Sequence, residues 1–113
     1  MIISRLLFLI FLVSGWCSAQ GTVNEADNIL IVYLSRTNNT KVVAEMIHEN
    51  VGGNLVALEL KNPYPQNYKS IVAQVEEENR TGFLPPLKTQ INIDKYETVF
   101  LGFPTWGMQL PPP

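Results

Sequence analysis

Cysteine is all but absent from this sequence. Its one cysteine, Cys17, lies in a leader-like stretch, and residues 20–113 have none. That removes disulfides, thiolate metal centres and thiol nucleophiles from what the rest of the chain can do, and it suits an oxidising compartment. Histidine is equally scarce. The single His48 sits beside the polar face of an expected helix, and a solvated surface position is expected for it, not catalysis. Excess positive charge is lacking too: Lys and Arg number 8 against 10 Asp and Glu. Arg5 belongs to the leader, so residues 20–113 carry 7 − 10 = −3. A mildly acidic chain with no basic stripe is a poor nucleic-acid binder. No internal repeat is present, and no apolar run approaches the ~20 residues needed to span a bilayer.

The chain starts with a different composition. Arg5 supplies a charge, residues 6–13 form an unbroken apolar run, and Ser14, Gly15 and Cys17-Ser18-Ala19 follow. That is the three-part layout of a secretory signal peptide, with cleavage after Ala19 and residues 1–19 removed. The alternatives are an uncleaved anchor and a lipoprotein modified at Cys17. Trp16 is too bulky for the small residue that usually precedes a lipidated cysteine. Residues 20–27 are polar and form a lead-in, and 28–113 form the domain.

Within that domain apolar runs alternate with helical patterns. Residues 29–34 (ILIVYL), 55–60 and 98–103 (TVFLGF) have strand length, and runs without alternation mark strands buried on both faces. Glu59 suggests that the second strand lies at an edge. Residues 41–51 form a helix with Val43, Met46, Ile47 and Val51 on one face, ended by Gly52-Gly53. Residues 68–79 form another, with Ile71, Val72 and Val75 apolar and Glu76-Glu77-Glu78 solvated. Three consecutive carboxylates on a helix diverge and hold no metal. The order strand–helix–strand–helix–strand predicts an α/β fold, a doubly wound parallel sheet cut to βαβαβ with strand order 2-1-3. Its topological switch point, where such sheets bind ligands, lies between the first and third strands.

Two polar loops leave those strand ends. Ser35, Arg36, Thr37, Asn38, Asn39 and Thr40 open onto a helix N-terminus, whose free N–H groups favour an anion. Neither GxxxxGK(S/T) nor GxGxxG is present, and a short hydroxyl-rich loop suits one terminal phosphate. The plainer reading is a helix cap in which Asn39 or Thr40 satisfies orphan amides. The second loop holds Pro104, Thr105, Trp106 and Gly107. Trp106 offers a flat face for a planar ring, and Gly107 would let backbone approach a ligand. The plainer reading here is a Trp packed on its own prolines.

S-R-T-N-N-T between strand and helix resembles the flavodoxin phosphate loop, usually S/T-x-T-G-x-T. G-F-P-T-W-G resembles that family's second flavin loop, and L-K-N-P-Y-P-Q-N-Y is similar to exported flavodoxin-like proteins. The resemblance covers residues 28–113. It implies FMN as cofactor, with Ser35, Thr37, Asn38, Asn39 and Thr40 at its phosphate. Thr105, Trp106 and Gly107 would meet the isoalloxazine, with Trp106 stacking. Asn38 stands where the family has Gly, and Asn best tolerates left-handed backbone after Gly. The family has five strands and a third flavin loop, so the chain looks like an N-terminal half with weakened binding. Its third strand would then be left as an unpaired, aggregation-prone edge. The implied function is electron transfer with an unknown redox partner and no metal. The alternatives are an FMN-dependent quinone or nitro-compound reductase and a cofactor-free remnant. Asn38-Asn39-Thr40 and Asn79-Arg80-Thr81 match the glycosylation sequon by chance.

The leader reading has a direct check. Protein recovered from the exported fraction should begin at Gln20 by mass spectrometry, and an intact Met1 or Ile2 start on that material would contradict it.

Overall fold

Five apolar residues, Ile29–Tyr33, form the central strand β1. Leu30 and Ile31 are 0% and 1% exposed although they point to opposite faces. Only a strand covered on both faces can bury successive side chains, as the uninterrupted run predicts. The computed structural model describes residues 25–112. The expected leader, residues 1–19, and most of the lead-in lie outside them.

β1 pairs in parallel with β2 (Asn54–Ala57) on one side and β3 (Thr98–Gly102) on the other. The order β2-β1-β3 is the one the βαβαβ pattern predicts. Two helices complete the unit, α1 (Asn39–Val51) and α2 (Tyr68–Thr81). A 3-10 turn, Glu25–Asn28, leads into β1 and another, Ile93–Lys95, precedes β3. On one face of the sheet Ile31 and Tyr33 pack with Ala44 of α1, flanked by Ile47, Leu55 and Phe100. A second cluster joins Ile71 and Val75 of α2 to Trp106, with Leu34, Tyr64 and Val72 against it.

Several local expectations need correction. β2 stops at Ala57 instead of residue 60. Beyond it the Leu58 N–H still reaches the Tyr33 carbonyl at 2.7 Å, but Glu59 and Lys61 pair with the incoming linker. Leu60 and Leu87 form an isolated antiparallel bridge there. On α1 the buried residue is Ala44, whereas Val43 and Met46 are each 56% exposed. The small Ala44 lets the helix approach β1 closely, and the apolar arc of α1 is wider than the contact that results. His48, expected in solvent, is half-buried with its Nδ1 enclosed and unpartnered among the described residues. Glu78, expected in solvent, is buried. β3 packs Phe100 against the α1 core but leaves Leu101 62% exposed. Its apolar run suits burial on both faces, yet among the described residues its only partner is β1.

The α1–β2 connection is tight. Gly53 has φ 89°, and a Cβ there would lie 2.7 Å from the Ile29 carbonyl oxygen and 2.9 Å from the Ile29 Cβ. Gly82, which ends α2 at φ 70°, has open space instead. Gly53→Ala should therefore cost about 2–4 kcal/mol, combining left-handed strain with overpacking. Gly82→Ala should cost only the strain, about 1–2 kcal/mol. Urea unfolding of both variants checks this, and equal losses would contradict it.

Candidate functional site

The backbone ladder of β1 ends with the Leu34 N–H donating to the Gly102 carbonyl at 2.9 Å. That bond holds the carboxyl ends of β1 and β3 together, so the loops after them leave side by side. They touch at once. A Cβ on Gly102 would sit 3.1 Å from the Thr40 methyl.

The first loop turns into α1 through Asn38, which has φ 67° and ψ −1°. This is the left-handed conformation that Asn tolerates at a strand-to-helix turn. Asn38 occupies the N-cap position, yet its side chain makes no capping bond. The Val42 N–H returns to the Asn38 carbonyl at 2.9 Å, and the Lys41 N–H reaches Ser35 Oγ only at 3.3 Å. The N–H groups of Asn39 and Thr40, and the hydroxyls of Thr37 and Thr40, bond to none of the described residues. Neither Asn39 nor Thr40 is the cap; Ser35 meets the third amide of α1, and the first two stay open among the described residues. α2 is capped in the same way: Asn67 Oδ1 accepts from the Ser70 N–H, the third amide of that helix, at 3.2 Å.

A cleft of about 200 Å³ lies between the two loops. Its lining contains Ser35, Arg36, Thr37, Asn39, Thr40, Pro104, Thr105 and Trp106. Two of the ten expected residues lie outside it. Asn38 contributes the turn alone. Gly107 approaches α2 instead of a cleft: its φ is 60°, a Cβ there would fall 2.6 Å from Val72 Cγ1, and its N–H donates to the Tyr68 hydroxyl at 3.2 Å. Arg36 donates to the Gln66 carbonyl at 2.7 Å and lies 5.9 Å over the Tyr68 ring. Tyr68 also lines the cleft. Its position directly after the Asn67 cap was the available sequence signal.

Trp106 departs from the expectation that it stands clear of the core. It is 4% exposed and packs on Ile71 and Val75. The cause is a tight reversal in which Trp106 and Gln109 exchange two backbone bonds of 3.1 and 3.0 Å. Gly107 and Met108 are both left-handed, at φ 60° and 59°, the signature of a type I′ turn. The turn tucks the indole under α2. Tyr64 meets it edge-on, with ring centroids 5.0 Å apart and planes at 69°. The Tyr64 hydroxyl donates to Glu78 Oε2 at 2.7 Å, and Gln74 Nε2 donates to Glu78 Oε1 at 2.9 Å. These two bonds explain how a carboxylate is buried on this face.

The flavodoxin family profile matches residues 28–112 of the chain. Among solved structures, a flavoprotein from Lactobacillus acidophilus in complex with FMN is similar, with a TM-score of 0.65 and 20% identity over 73% of this chain. A Bacteroides uniformis protein provisionally described as a flavoprotein has a TM-score of 0.62 and 23% identity over 77% of this chain. The chain spans 58% of the length of each. At these identities the likeness concerns the fold. No curated protein has significant sequence similarity to the chain.

Burial, then the bond to Glu78 and its charge, raise the Tyr64 phenol well above its ordinary value of 10.0. The folded state thus holds this proton more tightly than the unfolded chain. Its contribution is complete below about pH 10 and is lost as pH rises above that value. Alkaline titration should show a late-ionising tyrosine component that disappears in Tyr64→Phe. At neutral pH the same variant should lose about 1–3 kcal/mol, because Glu78 keeps one bond of two. An unchanged titration curve would contradict the assignment.

Proposed function

The chain belongs to the flavodoxin family, and on that premise we propose that it is an exported FMN-binding electron carrier. The observation that carries the reading is the cleft that the first turn of α1 lines. Asn39 and Thr40, whose amides have no partner among the described residues, line it together with the hydroxyls of Thr37 and Thr40. Such groups need water or a ligand, and the positive end of the helix dipole selects an anion.

The donor set fits the phosphate of FMN. Ser35, Thr37, Asn39 and Thr40 offer neutral N–H and O–H donors, and Arg36 offers one positive charge. Such a set holds a doubly charged phosphate without the lysine of nucleoside-triphosphate loops. Asn38 fixes the turn that presents these groups. Pro104, Thr105 and Trp106 close the other wall, where the ring would enter. The cleft's ~200 Å³ is the scale of the phosphate end, below the 300–1,000 Å³ of complete cofactor sites. FMN, when bound, would supply the redox chemistry, and the protein would bind and orient it. The leader layout of residues 1–19 supports export. NADPH oxidation by the purified protein would move the assignment to a reductase.

Thr37→Ala combined with Thr40→Val removes two hydroxyl donors and keeps bulk against Gly102. FMN affinity should fall by about 3–6 kcal/mol, the value of two bonds to a charged group. Riboflavin, which lacks the phosphate, should bind as before. Equal losses for the two ligands in calorimetric titration would sink the assignment.

A further inference from the structure

A larger hollow, of about 590 Å³, lies on the β2 side of the 35–37 loop. It shares only Ser35, Arg36, Thr37 and Trp106 with the smaller cleft. Asn39 and Thr40 do not line it, so the open amides of α1 belong to the cleft alone. We infer that this hollow binds a small planar aromatic anion, at a site distinct from the phosphate cleft.

The frame is bonded on two sides. The Lys61 N–H donates to the Pro86 carbonyl at 2.9 Å, and the Lys88 N–H to the Glu59 carbonyl at 2.7 Å. The Glu59 N–H donates to the Thr89 hydroxyl at 2.8 Å, so the chain after β2 is held against the linker. The Arg36–Gln66 bond ties the 35–37 loop to the approach to α2. The volume falls within the ~300–1,000 Å³ of small-molecule sites.

Charge selects an anion. Apart from Arg36, which the cleft shares, Lys61 and Lys88 line the hollow against one carboxylate, Glu59, which pairs with Lys88 at 3.5 Å. Lys61 has no ion-pair partner among the described residues. Two positive charges of its own against one negative leave the hollow positive on a chain of net charge −2. Shape and polarity select a flat apolar body. Leu34, Leu58, Leu60 and Tyr64, all half-buried, supply apolar wall, and aromatic side chains favour planar partners through offset or edge contacts.

The inference stands apart from the flavin reading, and calorimetry on the full chain tests it with naphthalenesulfonate and its neutral analogue naphthalenemethanol. The sulfonate should bind one to one, about 10-fold more tightly than the alcohol, the effect expected of one or two charge-assisted contacts. Lys61→Gln with Lys88→Gln should remove that advantage and leave the alcohol unchanged. Saturating FMN should not displace the sulfonate. Equal affinity for the two probes, an unaffected double variant or displacement by FMN would each overturn the site. Sulfonate binding by a chain that takes up no FMN would support the hollow and overturn the flavin reading alone.

Discussion

The parallel ladder between β1 and β3 ends in the 2.9 Å bond from the Leu34 amide to the Gly102 carbonyl, and the proposed site hangs from that last rung. β1 lies between its two neighbours, so crossovers to either side diverge at its carboxyl end. α1 leaves toward β2, while the chain after β3 turns the other way under α2. The hollow between them is a product of topology. Its walls are loops because only loops can change direction there.

Nothing in the cleft needs a strong charge. Asn38, held left-handed, presents the first turn of α1 with the Asn39 and Thr40 amides open among the described residues, and hydroxyls from residues 37 and 40 stand beside them. Leaving such groups unmet costs stability, so they need water or a ligand. α2 carries an equivalent single side-chain cap, so what marks α1 is the cleft that Asn39 and Thr40 line. The second wall is stiffened from behind. Glu78 holds Tyr64, Tyr64 meets Trp106 edge-on, and the left-handed pair Gly107 and Met108 turns the indole inward. The indole is therefore fixed by packing before any ligand arrives, which limits how far its face can reorient.

The sequence announced the strand order and both loops because each rests on local pattern. An unbroken apolar run such as ILIVYL has few alternatives to a central parallel strand, and polar loops at two strand ends mark the switch point. What stayed hidden depends on partners distant along the chain. β2 ends early because Glu59 and Lys61 find the linker near Pro86 and Lys88. Glu78 looks solvated beside Glu76 and Glu77 until Tyr64 and Gln74 reach it. Trp106 looks free until the Trp106–Gln109 turn folds it under α2. The buried face of α1 is hidden for a related reason. Helical periodicity marks an apolar arc, but only the sheet beneath decides which part of the arc is covered, and here that part is Ala44.

The central claim is that the first-turn amides of α1 receive a phosphate. Amide NMR of the isotope-labelled chain tests it most directly, with FMN, riboflavin and inorganic phosphate added in turn. The account predicts downfield shifts of the Asn39 and Thr40 amides with FMN and with inorganic phosphate, and little movement with riboflavin. The capped first turn of α2, at Ser70, should stay still throughout. FMN binding that leaves Asn39 and Thr40 unmoved, or riboflavin shifting them as strongly as FMN, would contradict it.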